Sequence, residues 1–403
     1  MKVVFIFGGM PHYLVSLLNK IVEKGIDITV ILPESGSKTI GKGVKQVNSN
    51  QKFSVLKAQE YKSILGKYYF KNLYSLIRKE NPKIVVVGWP YIANLIFDFK
   101  LLRYFKKKKI KLFYKEIPFM ISPKNKIFSY YKQHPIVNEN LENETPTGIK
   151  YYLWIIILLF LRTRIYKRVD ATLCYSSIAN DILPSYGISP ENVFITYNSP
   201  ETDKIFFVKN QIESLNLELD YNPYRIIHIG RLVKWKRVDL IIDILPELIK
   251  KFPQTELIIV GNGPEEELLK QQVNKLNLGY CVKFLGGVYD YENLGKHLLS
   301  SGIYVLAGMG GLSINEAMAF GKPIICSVCD GTEKDLVIDG VNGFYFKNGD
   351  AESLIKKILY IFSDLTLIKE MGKNSEGIIK GKININTVSE KYIKAFNKVL
   401  ETI

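Results

Sequence analysis

The sequence predicts an α/β fold built as two parallel-sheet halves. Three observations carry that expectation. Short apolar runs alternate with helix-period segments along most of the 403 residues. Several of those runs end in a glycine-bearing turn, and open parallel sheets bind ligands at that edge. The chain is long enough for two cores, and with 47% hydrophobic and 23% charged residues it is no disordered polymer.

The first half opens with an apolar run at 3–7, the pair Gly8-Gly9, and a helical pattern over 11–24 with Leu14, Leu17, Leu18 and Ile21 on one face. Gly25 ends that pattern and 26–32 reads as a second strand, which makes a βαβ opening. The turn is not G-x-G-x-x-G, so a nicotinamide cofactor is not expected. Strands follow at 84–87 and 111–114, with a helix at 95–104 that runs into four lysines, Lys106 to Lys109. Glu116 stands at a strand end, in Lys115-Glu116-Ile117-Pro118, where a carboxylate is well placed for chemistry. Residues 120–150 are polar and irregular and read as a flexible loop. The most apolar stretch, 151–161, is too short to span a bilayer, which takes about 20 residues. Arg162, Arg164, Lys167 and Arg168 follow it directly. Two readings stay open: a helix lying in a membrane interface, or a core helix of the first domain. Strands at 171–174 and 193–196 close this half.

Residues 198–223 lack a clear period, and 204–222 are read as the linker. The second half begins with a strand at 225–229, followed by Gly230-Arg231-Leu232 and Lys236. An amphipathic helix covers 238–251. The strand at 256–260 ends in Gly261-Asn262-Gly263-Pro264, and the strand at 282–285 in Gly286-Gly287. The run 303–307 leads into Gly308-Met309-Gly310-Gly311-Leu312-Ser313, and a short helix carries Glu316 and stops at Gly321. A strand, a glycine turn and a helix start make an anion site, because unpaired backbone N–H groups point at the ligand. Arg231 and Lys236 leave the same sheet edge. Two cations beside Gly310 and Gly311 suit a diphosphate leaving group, on which negative charge grows as its bond breaks. Glu316, one helical turn further on, suits the hydroxyls of a ribose. These residues describe a site for a nucleoside diphosphate joined to a second group. A last helix is expected over 387–400.

The net charge of +16 is unevenly placed: 30 Lys and Arg stand against 15 Asp and Glu in residues 1–203, but 25 against 24 in 204–403. A basic first half suits an anionic partner such as membrane lipid or a phosphorylated acceptor. No nucleic-acid motif is present, so nucleic acid is not expected as a partner. Of the four cysteines, Cys326 and Cys329 form a lone C-x-x-C with no second pair, and the four histidines are scattered. Buried thiols are expected rather than a metal site. Only five apolar residues follow Met1-Lys2, too few for a signal sequence, so a cytoplasmic protein is expected.

Taken in order and spacing, the motifs of the second half resemble those of the retaining GT-B glycosyltransferases of family 4. The matching residues are Gly230-Arg231-Leu232 with Lys236, Gly261-Asn262-Gly263-Pro264, Phe284-Leu285-Gly286, Gly311-Leu312 with Glu316 through Pro323, and Asp339-Gly340-Val341-Asn342-Gly343. The first half matches more loosely, through Gly8-Gly9, Asp170-Ala171 with Ser176, and Asn198 with Asp203. The resemblance implies two Rossmann-like domains facing across a cleft: an acceptor-side domain over 1–203 and a nucleotide-sugar domain over 223–386. The C-terminal helix, 387–403, would pack back on the first domain. It implies transfer of a sugar from a nucleotide donor with retained configuration, with neither metal nor cofactor. Arg231 and Lys236 would bind the diphosphate, and Glu316 the ribose. The backbone at Gly310, Gly311 and Leu312 would bind the phosphates or sugar, and Gly9 would approach the diphosphate. Residues near Phe284, itself a donor-binding candidate, would flank the base, and Gly263 is a further donor-binding candidate. The family motif carries two glutamates eight positions apart, and Gly308 replaces the first of them here. That departure leaves the donor sugar open. Glu116 is the candidate for steering the acceptor or the sugar.

The expected protein is a glycosyltransferase peripheral on the inner face of the cell membrane. It would extend a surface polysaccharide or glycolipid, on an isoprenoid-diphosphate carrier. The alternatives are a non-catalytic partner subunit that kept the fold, and a nucleotide-sugar epimerase on the same fold.

Overall fold

The computed structural model describes residues 1–403 apart from 35–49, 64–65, 118–120, 216–218, 329–330 and 402–403. The chain forms two compact units. The N-terminal unit comprises Met1–Ile136, Thr145–Asn198 and Ile385–Ile403; the C-terminal unit comprises Val137–Glu144 and Ser199–Asn384.

The strands are β1 (Lys2–Ile6), β2 (Asp27–Pro33), β3 (Ser54–Ala58), β4 (Glu60–Lys62), β5 (Tyr68–Phe70), β6 (Ile84–Gly88), β7 (Lys111–Glu116), β8 (Ala171–Cys174) and β9 (Val193–Ile195) in the N-terminal unit. Those of the C-terminal unit are β10 (Asn222–Ile229), β11 (Glu256–Val260), β12 (Val282–Phe284), β13 (Ser301–Leu306), β14 (Ile324–Ser327) and β15 (Gly343–Phe346). The large sheets run β3-β2-β1-β6-β7-β8-β9 and β12-β11-β10-β13-β14-β15, and β4 with β5 makes a small antiparallel pair. Both orders start from a central strand, wind outward, then return to its other side, as in a Rossmann sheet. Each sheet therefore has a switch point where successive crossovers diverge, between β1 and β6 and between β10 and β13. Ile227 pairs with Tyr304 across the second of these.

Sequence explains which strands are central. The inner strands β6 and β13 are buried at every residue, as expected for a sheet covered by helices on both faces. The outer strands β3 and β12 carry exposed residues. The helix Ile385–Glu401 belongs to the N-terminal unit, and its Phe396 meets Phe5 and Phe113 edge-on at 6.4 and 5.5 Å between ring centroids.

Four expectations change. The helix read over 95–104 is two helices, Ile92–Leu95 and Phe99–Lys108. Asp98 starts the second by accepting the Leu101 N–H at 2.9 Å. The helix read over 238–251 is likewise split, into Val238–Asp243 and Leu245–Lys251, with Pro246 in the first turn of the second. The loop read over 120–150 contains the helix Ile127–Gln133, a bridge between Val137 and Asn143, and the start of the helix Gly148–Tyr166. Most of the linker read over 204–222 is the helix Thr202–Ser214 of the C-terminal unit. It is hard to see in sequence because a buried charge anchors it: Lys209 Nζ bonds Glu376 at 2.7 Å beside Ile205 and Ile212. Cys326 is buried, whereas Cys329, residues 216–218 of the linker and Pro118 lie outside the described residues.

Phe396→Ala is expected to cost the N-terminal unit about 3–5 kcal/mol, because it removes a fully buried ring from between two others. An earlier urea midpoint for that unit, with a smaller shift for Phe396→Leu, is the measurement.

Candidate functional site

Two βα turns meet at the β10–β13 switch point. The turn after β10 carries Gly230, Arg231 and Leu232, followed by a 3₁₀ turn at Lys234–Lys236. The turn after β13 runs from Ala307 to the helix Ser313–Ala319. Lys236 ties them together. It is 8% exposed, and its Nζ donates to the Met309 carbonyl at 2.6 Å and to the Gly310 carbonyl. The Met309 N–H returns a bond to the Trp235 carbonyl at 2.9 Å. A side chain at Gly311 would begin 3.4 Å from that Nζ, so the lysine charge lies directly beneath the exposed turn. The following helix has only seven residues, so the two cations and the turn's N–H groups, more than a helix macrodipole, supply the positive potential here.

Gly308 has a steric cause. A Cβ there would lie 2.0 Å from the Trp235 carbonyl oxygen. No side chain fits while the two turns pack in this way, so the acid expected from the family motif cannot stand at this position. Gly263 is held by the same kind of approach, with a Cβ position 2.2 Å from the Leu232 carbonyl oxygen. The Leu232 N–H bonds the Asn262 carbonyl at 3.0 Å, which locks the loop after β11 against the loop after β10.

Arg231 faces a carboxylate that sequence reading missed. Glu139, on the Val137–Glu144 segment of the C-terminal unit, lies 3.3 Å from the Arg231 guanidinium. Its carbonyl accepts the Trp235 N–H at 3.1 Å. No motif flags Glu139, because it sits 92 residues before Arg231 in an irregular polar stretch. The pair is partly exposed, so its net worth is small, about 0–1 kcal/mol, and a phosphate can displace the carboxylate.

Glu316 stands on the first turn of the helix Ser313–Ala319, and no ion pair or hydrogen bond engages its carboxylate among the described residues. Burial pushes its carboxyl up to about 7. Tyr291 lies close enough to feel its charge and is itself raised, by burial first and Glu316 second. Tyr304, on β13, bonds Ser313 Oγ at 2.8 Å and so fixes the start of that helix. His228, on β10, is fully buried and its ring is lowered to about 4 by burial. It is therefore neutral; Nδ1 bonds the Val305 carbonyl at 3.0 Å, and Nε2 is left as an acceptor below Gly230. Phe284 stands at the end of the outer strand β12, where its ring packs on the core with Lys270 above it.

In the N-terminal unit Gly9 lies in the turn after β1, at that sheet's own switch point. Glu116, at the end of β7, is buried and hydrogen-bonded within the N-terminal unit. Its Oε2 accepts the Tyr166 hydroxyl at 2.6 Å and its Oε1 the Ile117 N–H at 2.8 Å. Burial raises its pKa, and the Tyr166 and Tyr114 hydroxyls oppose that shift. The neighbouring Lys115 is buried, donates to the Tyr392 hydroxyl at 2.8 Å, and is lowered to about 7 by burial.

Residues 209–377 match the family described as Glycosyl transferases group 1. An uncharacterised glycosyltransferase of Methanocaldococcus jannaschii is 27% identical over 339 residues, 82% of this chain and 78% of its own length. The capsular polysaccharide biosynthesis glycosyltransferase CapM of Staphylococcus aureus is 24% identical over 73% of this chain and 80% of its own length. Among solved structures, HepE of Anabaena in complex with UDP superposes with a TM-score of 0.66 at 17% identity, over 99% of this chain and all of the other. That likeness is one of fold. The architecture is GT-B, and with the matched domain it makes this chain a glycosyltransferase.

Three outcomes follow from the carboxylates. The raised Glu316 pKa means that the stability this group contributes is present below about 4.5 and is lost as pH rises through about 7. Without donor, Glu316→Gln is therefore expected to raise thermal stability at pH 8 and to make little difference near pH 4.5. Because a diol donates to the ionised form, affinity for an intact nucleotide-sugar should fall below pH 7 in the wild type and stay flat in Glu316→Gln, as calorimetry across pH would show. Glu139→Gln, which removes a competing carboxylate from Arg231, should tighten nucleotide binding about two- to fivefold.

Proposed function

We propose that the protein is a retaining glycosyltransferase of family 4 that transfers a sugar from a nucleotide donor to a growing surface glycan. The observation that carries this is the buried Lys236 ammonium beneath the Gly310–Gly311 turn, beside Arg231: a preformed cationic seat for a diphosphate. UDP is the favoured nucleotide, since HepE, which shares the fold, was solved with UDP. CapM acts in capsular polysaccharide biosynthesis, which favours a polysaccharide or lipid-linked acceptor, with an isoprenoid diphosphate as the carrier. The N-terminal unit would hold that acceptor, and the basic first half would keep the enzyme peripheral on the inner face of the cell membrane.

In the proposed reaction the bond between the anomeric carbon and the β-phosphate oxygen breaks, and its electron pair leaves with the diphosphate. Arg231 and Lys236 stabilise that growing charge. The acceptor oxygen bonds to the anomeric carbon on the face the phosphate leaves, and the acceptor proton passes to the departing phosphate oxygen. No protein nucleophile takes part. Glu316 fixes the ribose. Cationic side chains take the place a metal ion holds in other transferases.

Arg231→Ala and Lys236→Met are each expected to lower turnover at saturating donor about a hundredfold or more, with secondary structure retained by circular dichroism. Activity should withstand EDTA. Unchanged turnover in both variants removes the site assignment, and loss of activity on chelation removes the metal-free reading.

A further inference from the structure

The helix Gly148–Tyr166 is apolar on two opposite faces. One face packs inward through Tyr151, Ile155, Ile165 and Tyr166. The other presents Ile149, Tyr152, Leu153, Ile156, Ile157 and Phe160, each between 48% and 81% exposed. Their spacing of three and four residues makes one unbroken stripe. The inward face alone anchors the helix, so the fold does not require the stripe to be apolar. A contiguous exposed patch of this kind marks a surface that meets something else. No helix among the described residues is long and apolar enough to cross a membrane.

At its C-terminal end the stripe runs into a groove of about 440 Å³. Ile156, Leu159 and Phe160 form its apolar wall, and Lys124, Arg164, Lys167 and Arg168 surround it. Among the described residues no carboxylate pairs with any of these four cations. The Arg164 guanidinium lies 5.7 Å from the Phe97 ring and 5.9 Å from the Phe160 ring, which holds it flat, and its buried Nε has no partner. Arg168 donates to the Ile96 carbonyl and sits 5.4 Å from the ring of the exposed Phe99. Residues 148–169 include no Asp or Glu. A soluble phosphate would use the cations and leave the stripe idle, and an acidic protein would need no apolar rail. An anionic lipid uses both, with its phosphate among the guanidinium groups and its acyl region along the stripe.

We propose that this helix is the membrane-contact element and that the groove at its end seats the phosphate of an anionic bilayer lipid. The proposal rests on the peripheral-membrane reading above and narrows it to one helix and one headgroup chemistry.

The test is flotation of the full chain with phosphatidylcholine vesicles, with and without about one third phosphatidylglycerol. Wild type should bind the anionic vesicles at least tenfold better than the neutral ones. Ile156→Ser with Ile157→Ser, and separately Arg164→Ala with Arg168→Ala, should each lose at least tenfold. Nucleotide-sugar binding should be unchanged in both variants, which reports that they fold. If wild type binds neither vesicle, the proposal and the peripheral-membrane reading both fail. Full binding by both double variants overturns the proposal alone and leaves the membrane contact to another surface. Loss in the stripe variant only overturns the phosphate seat. Concentration-dependent dimerisation that the stripe variant abolishes, without vesicle binding, makes the face a contact between copies and overturns the lipid assignment.

Discussion

The meeting of the two βα turns at the β10–β13 switch point depends on one buried charge. Lys236 is held by two carbonyls of the turn after β13 although it belongs to the turn after β10. A desolvated ammonium needs such partners, and hydrogen bonds to a charged group are worth about 1.5–3 kcal/mol each. Those partners fix the distance between the two turns. That distance in turn brings the Trp235 carbonyl against Gly308 and sets the curvature of the exposed Gly310–Gly311 segment. The Lys236 ammonium is the strut between the two turns and, in the proposed reaction, also the charge that meets the diphosphate.

Close packing also explains the missing acid. An acidic side chain at 308 and the present contact between the turns exclude each other on steric grounds. The carboxylates near the site come instead from Glu316, raised by burial, and from Glu139, delivered by a segment distant in sequence. Their environments differ in a way that sorts their roles. Glu316 is desolvated and unpaired among the described residues, which suits a hydroxyl-rich ligand. Glu139 is partly exposed and rests on the cation that a phosphate would claim.

Much of the fold was legible in the residues. Continuous apolar runs such as Ile84–Gly88 read as buried strands because both of their faces are covered, and glycines marked the turns at their ends. Arg231, Lys236 and Glu316 could be picked out as candidates because each follows a recognisable strand or turn at short range. What failed to read was set by distant partners. The helix Thr202–Ser214 looked like a linker because its anchor is an ion pair between Lys209 and Glu376, 167 residues apart. The strand-end position of Glu116 is visible in sequence, whereas the Tyr166 hydroxyl that donates to its carboxylate is not.

The sequence by itself determined two parallel sheets and the glycine turns and cations at the carboxyl edge of the second, since periodicity and short motifs encode local structure. Tertiary structure alone decided three things. It set the exclusion of a side chain at Gly308, the arrival of Glu139 at Arg231, and the division of the Gly148–Tyr166 helix into a buried and an exposed apolar face. The last is the plainest case. A helix that is apolar all round has no amphipathic signal, and only the neighbours that cover one of its faces decide which side chains are left for a partner.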